Sequence, residues 1–291
     1  MKKNITLIVC LLLFLVMAMG SGSDTEDTAA TQNTETSEVK EQVKKEVTVE
    51  ETAVFEENSI KITVTGLDTD GWMGPELKLL IENDSASNIT VQTRLSSVNG
   101  FMVDSSISED VAVAKKANTG ILFSDSDLKN AGIETISNIQ FSFHIFDTDS
   151  WDTIMDSELI TVNTSAADYV QNVDDTGDIL VDSDGINIVA RGLDTEDSIF
   201  GPSLILYIEN NTGRNLTVQA RDESVNGFMI DSIMSTDISS GNKALTELTF
   251  MSSDLEENSI EEINEIEFSF HIYDYDTYDN YYDTEMLKVE F

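Results

Sequence analysis

The chain has 291 residues, with 16 Lys and Arg against 55 Asp and Glu, two His, one Cys and two Pro, for a formal charge of −39. A charge of that sign and size repels a phosphate backbone and an anionic membrane surface instead of neutralising them, which excludes nucleic acid as a partner. One Cys excludes an intrachain disulfide and a Cys-based zinc site, while a hydrophobic content of 40% is enough to build a packed core.

The N-terminus reads as a secretory signal peptide, residues 1–20. Lys2 and Lys3 form a positive end, Ile5 to Met19 is an apolar run, and Ala18 and Gly20 are the small residues of a cleavage site before Ser21. The run is shorter than the roughly 20 apolar residues of a membrane span. Left uncleaved, it is the one segment expected to touch a membrane. Cleavage removes two Lys and no acid, which takes the charge from −39 to −41 and leaves no cysteine. Residues 21–53 are rich in Ser, Thr, Glu and Lys. Such a composition buries too little surface to offset chain entropy, and a disordered acidic stalk is expected there.

An internal repeat organises the rest. Gly74-Pro75-Glu76-Leu77 recurs as Gly201-Pro202-Ser203-Leu204, and from these prolines to Thr164 and Phe291 the copies align without a gap. The segment Ser97 to Met102, Ser-Val-Asn-Gly-Phe-Met, returns unchanged as Ser224 to Met229, and Phe141 to Ile145 returns as Phe268 to Ile272. The repeats are assigned to 54–164 and 179–291, with an acidic linker at 165–178.

Each copy alternates apolar and polar residues with period two, the pattern of half-buried strands. Ile60, Ile62 and Val64 come first, then Leu77, Leu79 and Ile81 (Leu204, Leu206 and Ile208 in the second copy), then Ile89 and Val91. Val98-Asn99-Gly100-Phe101 predicts a two-residue type I′ hairpin, because Asn and Gly accept positive φ. Ile121 and Phe123 follow, and a short helix with a Ser or Asp cap and a terminal glycine is predicted around 126–132. Ile139, Phe141, Phe143 and Ile145 and then Ile160 and Val162 complete the set. Pro75 and Pro202 stand at a strand entrance, where a missing N–H is tolerated. The expected fold is all-β: two tandem immunoglobulin-like antiparallel β-sandwich domains of seven or so strands each, after a signal peptide and a disordered acidic stalk. The Cys–Trp–Cys core of antibody domains is absent.

The pattern G-L, G-P-x-L-x-L-x-I-E-N, S-V-N-G-F-M, S-D-L and F-x-F-H-I-x-D-x-D resembles the uncharacterised immunoglobulin-like repeat domains of Gram-positive cell-surface lipoproteins. The leader has Ser21 where such a lipoprotein carries its acceptor cysteine. The resemblance covers about three quarters of the chain and implies an extracellular β-sandwich in the cell envelope. It implies no particular activity.

The acidic loop after the Phe-rich strand is the first site candidate. Asp147, Asp149, Asp152 and Asp156 match Asp274, Asp276, Asp279 and Asp283. Clustered carboxylates are the ligands calcium prefers, although Trp151 or Tyr278 at the fifth position and Asp152 or Asp279 at the sixth exclude an EF-hand. The alternative is a solvated acidic loop. No cofactor other than calcium is expected. Trp72, Trp151, Tyr278 and Tyr281 are candidate ligand-binding residues, flat rings for sugars with Asp and Asn beside them. Trp72-Met73 and Ile199-Phe200 serve equally well as plugs for one end of the core. His144 and His271 lie at out-of-core parity and are expected to bond across the sheet. No nucleophile elbow, phosphate loop, dinucleotide fingerprint or HExxH motif occurs. The expectation is therefore a non-enzymatic, secreted or envelope-attached binding or spacer protein whose partner is an extracellular protein or glycan. A calcium-dependent carbohydrate-binding module is the alternative.

Overall fold

The structure is a computed structural model that describes residues 46–195 and 199–291. The signal peptide and residues 21–45 of the expected stalk lie outside the described residues. The first repeat runs β1 (Thr52–Glu57), β2 (Ile60–Asp68), β3 (Glu76–Asn83), β4 (Ile89–Val98), β5 (Phe101–Met102) and β6 (Ser105–Ser106). It continues through β7 (Ser108–Val111), β8 (Lys115–Phe123), α1 (Asp125–Asn130), β9 (Asn138–Asp147), β10 (Thr153–Asp156) and β11 (Ile160–Asn163). The second repeats the order as β12 (Asp178–Ser183), β13 (Ile186–Asp194), β14 (Ser203–Asn210), β15 (Leu216–Val225), β16 (Phe228–Met229) and β17 (Ser232–Ile233). Then come β18 (Ser235–Ile238), β19 (Lys243–Phe250), α2 (Ser252–Glu257), β20 (Glu265–Asp274), β21 (Asn280–Asp283) and β22 (Leu287–Glu290).

Each repeat is a sandwich of two antiparallel sheets. In the first, β1-β2-β3-β8-β6 faces a sheet in which β9 pairs with β10, β11 and β4, and β4 in turn with β5 and β7. In the second, β12-β13-β14-β19-β17 faces a sheet built on β15 and β20. The all-β sandwich expected from the alternation is the observed fold. It has more strands than expected because turns and bulges cut the long strands: β4 shifts register between Arg94 and Ser97, where Leu95 takes φ 51°.

The inward stripes fill the core as the alternation requires. Ile62, Val64, Leu77, Ile81, Ile139, Phe141 and Ile145 are fully buried, and Phe143 lies edge-on to both Phe141 and Phe55. The Gly-Pro pairs have a steric basis. Gly74 (φ 128°) and Gly201 (φ 149°) back onto the carbonyl oxygens of Phe123 and Phe250, where a Cβ would collide. Helix α1 starts at Ser124, whose hydroxyl accepts from Asp127 N–H, and ends before Gly132 at φ 64°. Met251 replaces that cap in the second repeat, and α2 has no side-chain cap.

The Asn-Gly hairpins form as expected, with φ 52° and 80° at Asn99 and Gly100 and 50° and 82° at Asn226 and Gly227. The asparagine does more than turn the chain. Asn99 Oδ1 accepts from Ser137 N–H (2.7 Å) and Ser137 Oγ (2.8 Å), and its Nδ2 donates to Thr135 O (2.7 Å), so the hairpin grips the loop before β9.

The first repeat begins earlier than Val54. Thr48 N–H donates to Ser165 Oγ, Ser165 N–H donates back to Thr48 O, and Val49 packs on the core. The segment 165–177 is likewise tied down, with Gln171 Nε2 donating to Gly132 O (3.1 Å) and Asn99 Nδ2 donating to Gln171 Oε1 (3.2 Å).

The two repeats form one compact unit. Gly100 O accepts from Lys243 N–H (2.8 Å), so β5 adds in parallel to the free edge of β19, and one sheet runs from the first repeat into the second. Asn242 Nδ2 donates to Gln140 Oε1 (3.0 Å). Val189 and Tyr207, from the outer face of the second repeat, join the core of the first, while Met102 packs on the core of the second. The same hexapeptide thus has two fates. Phe101 is 3% exposed in the joint, whereas its copy Phe228 is 49% exposed.

That difference is an internal control. Phe101→Ala should destabilise the chain by about 3–5 kcal/mol, the usual cost of emptying a buried aromatic site. Phe228→Ala, an exposed position, should cost less than about 1 kcal/mol. Urea denaturation of the two variants measures both, and equal losses would contradict the joint described here.

Candidate functional site

On β9 the inward residues are Ile139, Phe141, Phe143 and Ile145, and the outward ones are Gln140, Ser142, His144 and Phe146. His144 faces Asp156 across the β9–β10 pair, and its Nδ1 lies 2.6 Å from Asp156 Oδ1. The imidazole centroid is 5.4 Å from the Phe146 ring. Phe146 in turn stacks beneath the Trp151 indole at 5.5 Å and 16°. Phe146 is apolar at an outward position, yet it is buried because Trp151 covers it, while Trp151 itself is 75% exposed. The second repeat builds the same column: Asp283 with His271 (2.6 Å), His271 with Tyr273 (5.4 Å), and Tyr273 with Tyr278 (6.2 Å, 27°), where Tyr278 is 77% exposed.

The turn that delivers the outermost ring is specified by the acidic loop. Asp147 Oδ1 accepts from the N–H groups of Asp149 (2.9 Å) and Ser150 (3.0 Å), and Trp151 N–H donates to Asp147 O (2.8 Å). Asp274 does the same with Asp276 and Thr277 (both 3.0 Å), and Tyr278 N–H returns to Asp274 O (2.8 Å). Trp151 and Tyr278 both lie in the left-handed region, at φ 66° and 62°. That conformation costs an L-residue with a Cβ roughly 1–2 kcal/mol, so glycine would be the more stable occupant. Both copies nevertheless carry a large exposed ring.

Polar side chains of β4 border the column. Gln92 is register partner to His144 and Arg94 to Ser142, and Arg94 Nη1 is 3.4 Å from Asp156 Oδ1. In the second repeat Arg221 donates to Gln219 Oε1 (2.6 Å), and Gln219 Nε2 donates to the Tyr273 hydroxyl (3.2 Å). A polar cleft of about 460 Å³ between the repeats is lined by Arg94, Ser96, Met102, Asp237 and Leu245 among others. Its hydroxyls bond one another, Thr93 to Ser105 (2.9 Å) and Thr236 to Thr246 (2.7 Å).

The eight candidate calcium ligands are engaged in separate tasks. Asp147 and Asp274 organise their turns, and Asp149 and Asp276 accept from Asn88 and Asn215 (both 3.2 Å). Asp156 and Asp283 hold the histidines, while Asp152 and Asp279 join the turns through their backbone groups. Among the described residues no group of three or more His, Cys, Asp or Glu is placed to hold a metal ion. Hydrogen bonds keep the Asp147 carboxyl below the usual carboxylate range, that from Ser150 N–H first. Those from His271 and then Asn280 do the same for Asp283. For Asp274 burial pushes upward, and the bonds from Thr277 and Asp276 prevail and lower it.

Of the candidate ligand-binding rings, the structure brings Trp151 and Tyr278 to equivalent columns and leaves the other two apart. Tyr281 is half-buried, its hydroxyl donating to Asp184 O (2.9 Å) and its ring beneath the Arg214 guanidinium (5.9 Å). Trp72 is 93% exposed in the β2–β3 turn, at the end of the sandwich away from Asp147. The plug reading of Trp72-Met73 and Ile199-Phe200 is corrected, since Ile199 is 92% exposed as well. Leu128, Ile133 and Ile136, in and after α1, close that end of the core instead. Sequence reasoning missed Phe146, Tyr273, Gln92, Arg94 and their copies. The available signal was an aromatic residue at outward parity, two positions after each histidine. No family model matches the chain, and no curated protein is significantly similar to it.

Two outcomes are expected of the acidic loops. Their lowered carboxyls bind protons less readily folded than unfolded, so their stabilisation is present above about pH 4 and is lost as pH falls through the folded-state values. A melting-temperature profile from pH 5 to pH 2.5 should therefore be flatter in Asp147→Asn plus Asp274→Asn, which keep an acceptor oxygen and lose the titration; an unchanged slope would contradict the assignment. Millimolar calcium should leave the melting temperature where EDTA leaves it, because a bound ion would stabilise in proportion to ln(1 + [Ca]/Kd).

Proposed function

We propose that the chain is a non-enzymatic binding protein of the cell envelope or extracellular space, in which two joined repeats each present one recognition face to an extracellular partner. One observation carries the reading: both copies hold the same outward column of rings, ending in an aromatic residue that is three-quarters exposed and sits at a backbone position better suited to glycine. Exposed aromatics flanked by Gln and Arg are the groups that surfaces use for recognition. The joint supports the spacer part of the reading, because a sheet continuous across both repeats fixes the two faces relative to one another. The leader and the resemblance to surface lipoprotein repeats support the location. The high negative charge keeps such a chain soluble and repels acidic wall polymers, favouring outward projection.

The test is binding of the fluorescently labelled chain, without residues 1–20, to intact cells of the producing organism and of its neighbours. Saturable binding that unlabelled protein displaces is the expected result. Its absence at every concentration up to about 100 μM, weaker than specific recognition requires, would sink the binding role and leave a spacer.

A further inference from the structure

The geometry points to a neutral carbohydrate as the ligand of these faces, with the Trp151 and Tyr278 rings as the platforms on which sugar rings lie. The inference rests on the binding role proposed above and names the ligand class for the same site.

Three features of the column favour a sugar over other occupants. The outermost ring is flat-on to its support, parallel to Phe146 within 16° and to Tyr273 within 27°. One broad face is therefore supported from beneath, leaving the other to the weakly positive C–H face of a pyranose, which the negative face of an aromatic ring attracts. The groups along the column, Gln92 and Arg94 beside His144 and Asp156, mix donors and acceptors at short spacing, as vicinal hydroxyls require. The face itself is acidic, with Asp147, Asp149 and Asp156 in and beside the turn and Arg94 as the cation next to Asp156, and the whole chain carries −39. An anionic ligand is thus repelled at long range and finds no cationic cluster at short range, whereas a neutral polyol meets neither obstacle.

The positive φ of the platform residue separates a ligand role from a structural one. Were the ring there only to cover Phe146 or Tyr273, an apolar residue of ordinary backbone geometry could do so. At this left-handed position both copies instead carry a ring that stays about three-quarters exposed.

Affinity electrophoresis of the chain without residues 1–20, through gels containing neutral glucans, mannans or chitin oligomers, tests this, with polygalacturonate as the anionic comparison. Retardation by at least one neutral polymer and none by polygalacturonate is the expected result. Trp151→Gly plus Tyr278→Gly, which suits the turn geometry, should weaken that binding at least tenfold with the circular dichroism spectrum retained. The exchange variant, Trp151→Tyr plus Tyr278→Trp, should keep binding within a few-fold, which separates loss of the ring from loss of the fold. Wild-type affinity in the glycine variant would overturn the inference. So would saturable binding to cells with no retardation by any neutral polymer, which leaves the binding role standing and moves the partner to protein. Failure of both assays would remove the binding role itself.

Discussion

The hydrogen bond from Lys243 N–H to Gly100 O, with Phe101 buried beside it, makes two sandwiches into one body. It depends on the Asn99-Gly100 turn. Asn99 accepts a positive φ, ties the hairpin to the loop before β9, and reaches Gln171 in the segment that leads to the second repeat. Gly100 then aims its carbonyl at the one stretch of β19 that β17 leaves uncovered. An edge strand with free donors is ordinarily a route to aggregation. Here the chain's own hairpin pairs with the Lys243 end of that edge, and Tyr207 and Val189 supply the apolar floor.

The other face of the molecule follows from the β4–β9 and β15–β20 pairs. Their inward residues make the core, and their outward ones make a column of histidine and aromatic rings. The acidic loop has its role within that arrangement. Its first aspartate folds the turn, its last fixes the histidine, and between them the turn lifts an aromatic ring to the surface. Carboxylates of this acidic cluster fold the turn and hold the histidine beneath an exposed aromatic ring.

Much of the fold was readable from residue pattern alone, because each signal is local. Alternation at Ile139 to Ile145, positive φ at Asn99-Gly100, the short helix ending before Gly132 and the Gly74-Pro75 strand entrance each depend on a few neighbouring residues, although the helix is capped by Ser124, ahead of the 126–132 range expected. The outward parity of His144 and His271 was legible for the same reason, and both bond to a cross-strand carboxylate. The joint was not, since Ser97 to Met102 and Ser224 to Met229 are identical, and the pairing of the first with β19 joins residues far apart in sequence. Nor was the division of labour among the aspartates, which turns on which backbone N–H each oxygen faces. The rings of Trp72 and Trp151 look alike in sequence. One protrudes beyond the end of the sandwich, and the other is seated on Phe146 five residues upstream.

The chain has only two tryptophans, so its indole N–H groups give two separate resonances in a proton–nitrogen correlation spectrum. Titrating the labelled chain with a neutral oligosaccharide that retards it in a gel is the most direct measurement of where recognition occurs. A progressive shift of the Trp151 indole resonance, with the Trp72 resonance stationary, is the result this account predicts. Movement of Trp72 with Trp151 unperturbed would place recognition on the β2–β3 turn and contradict it.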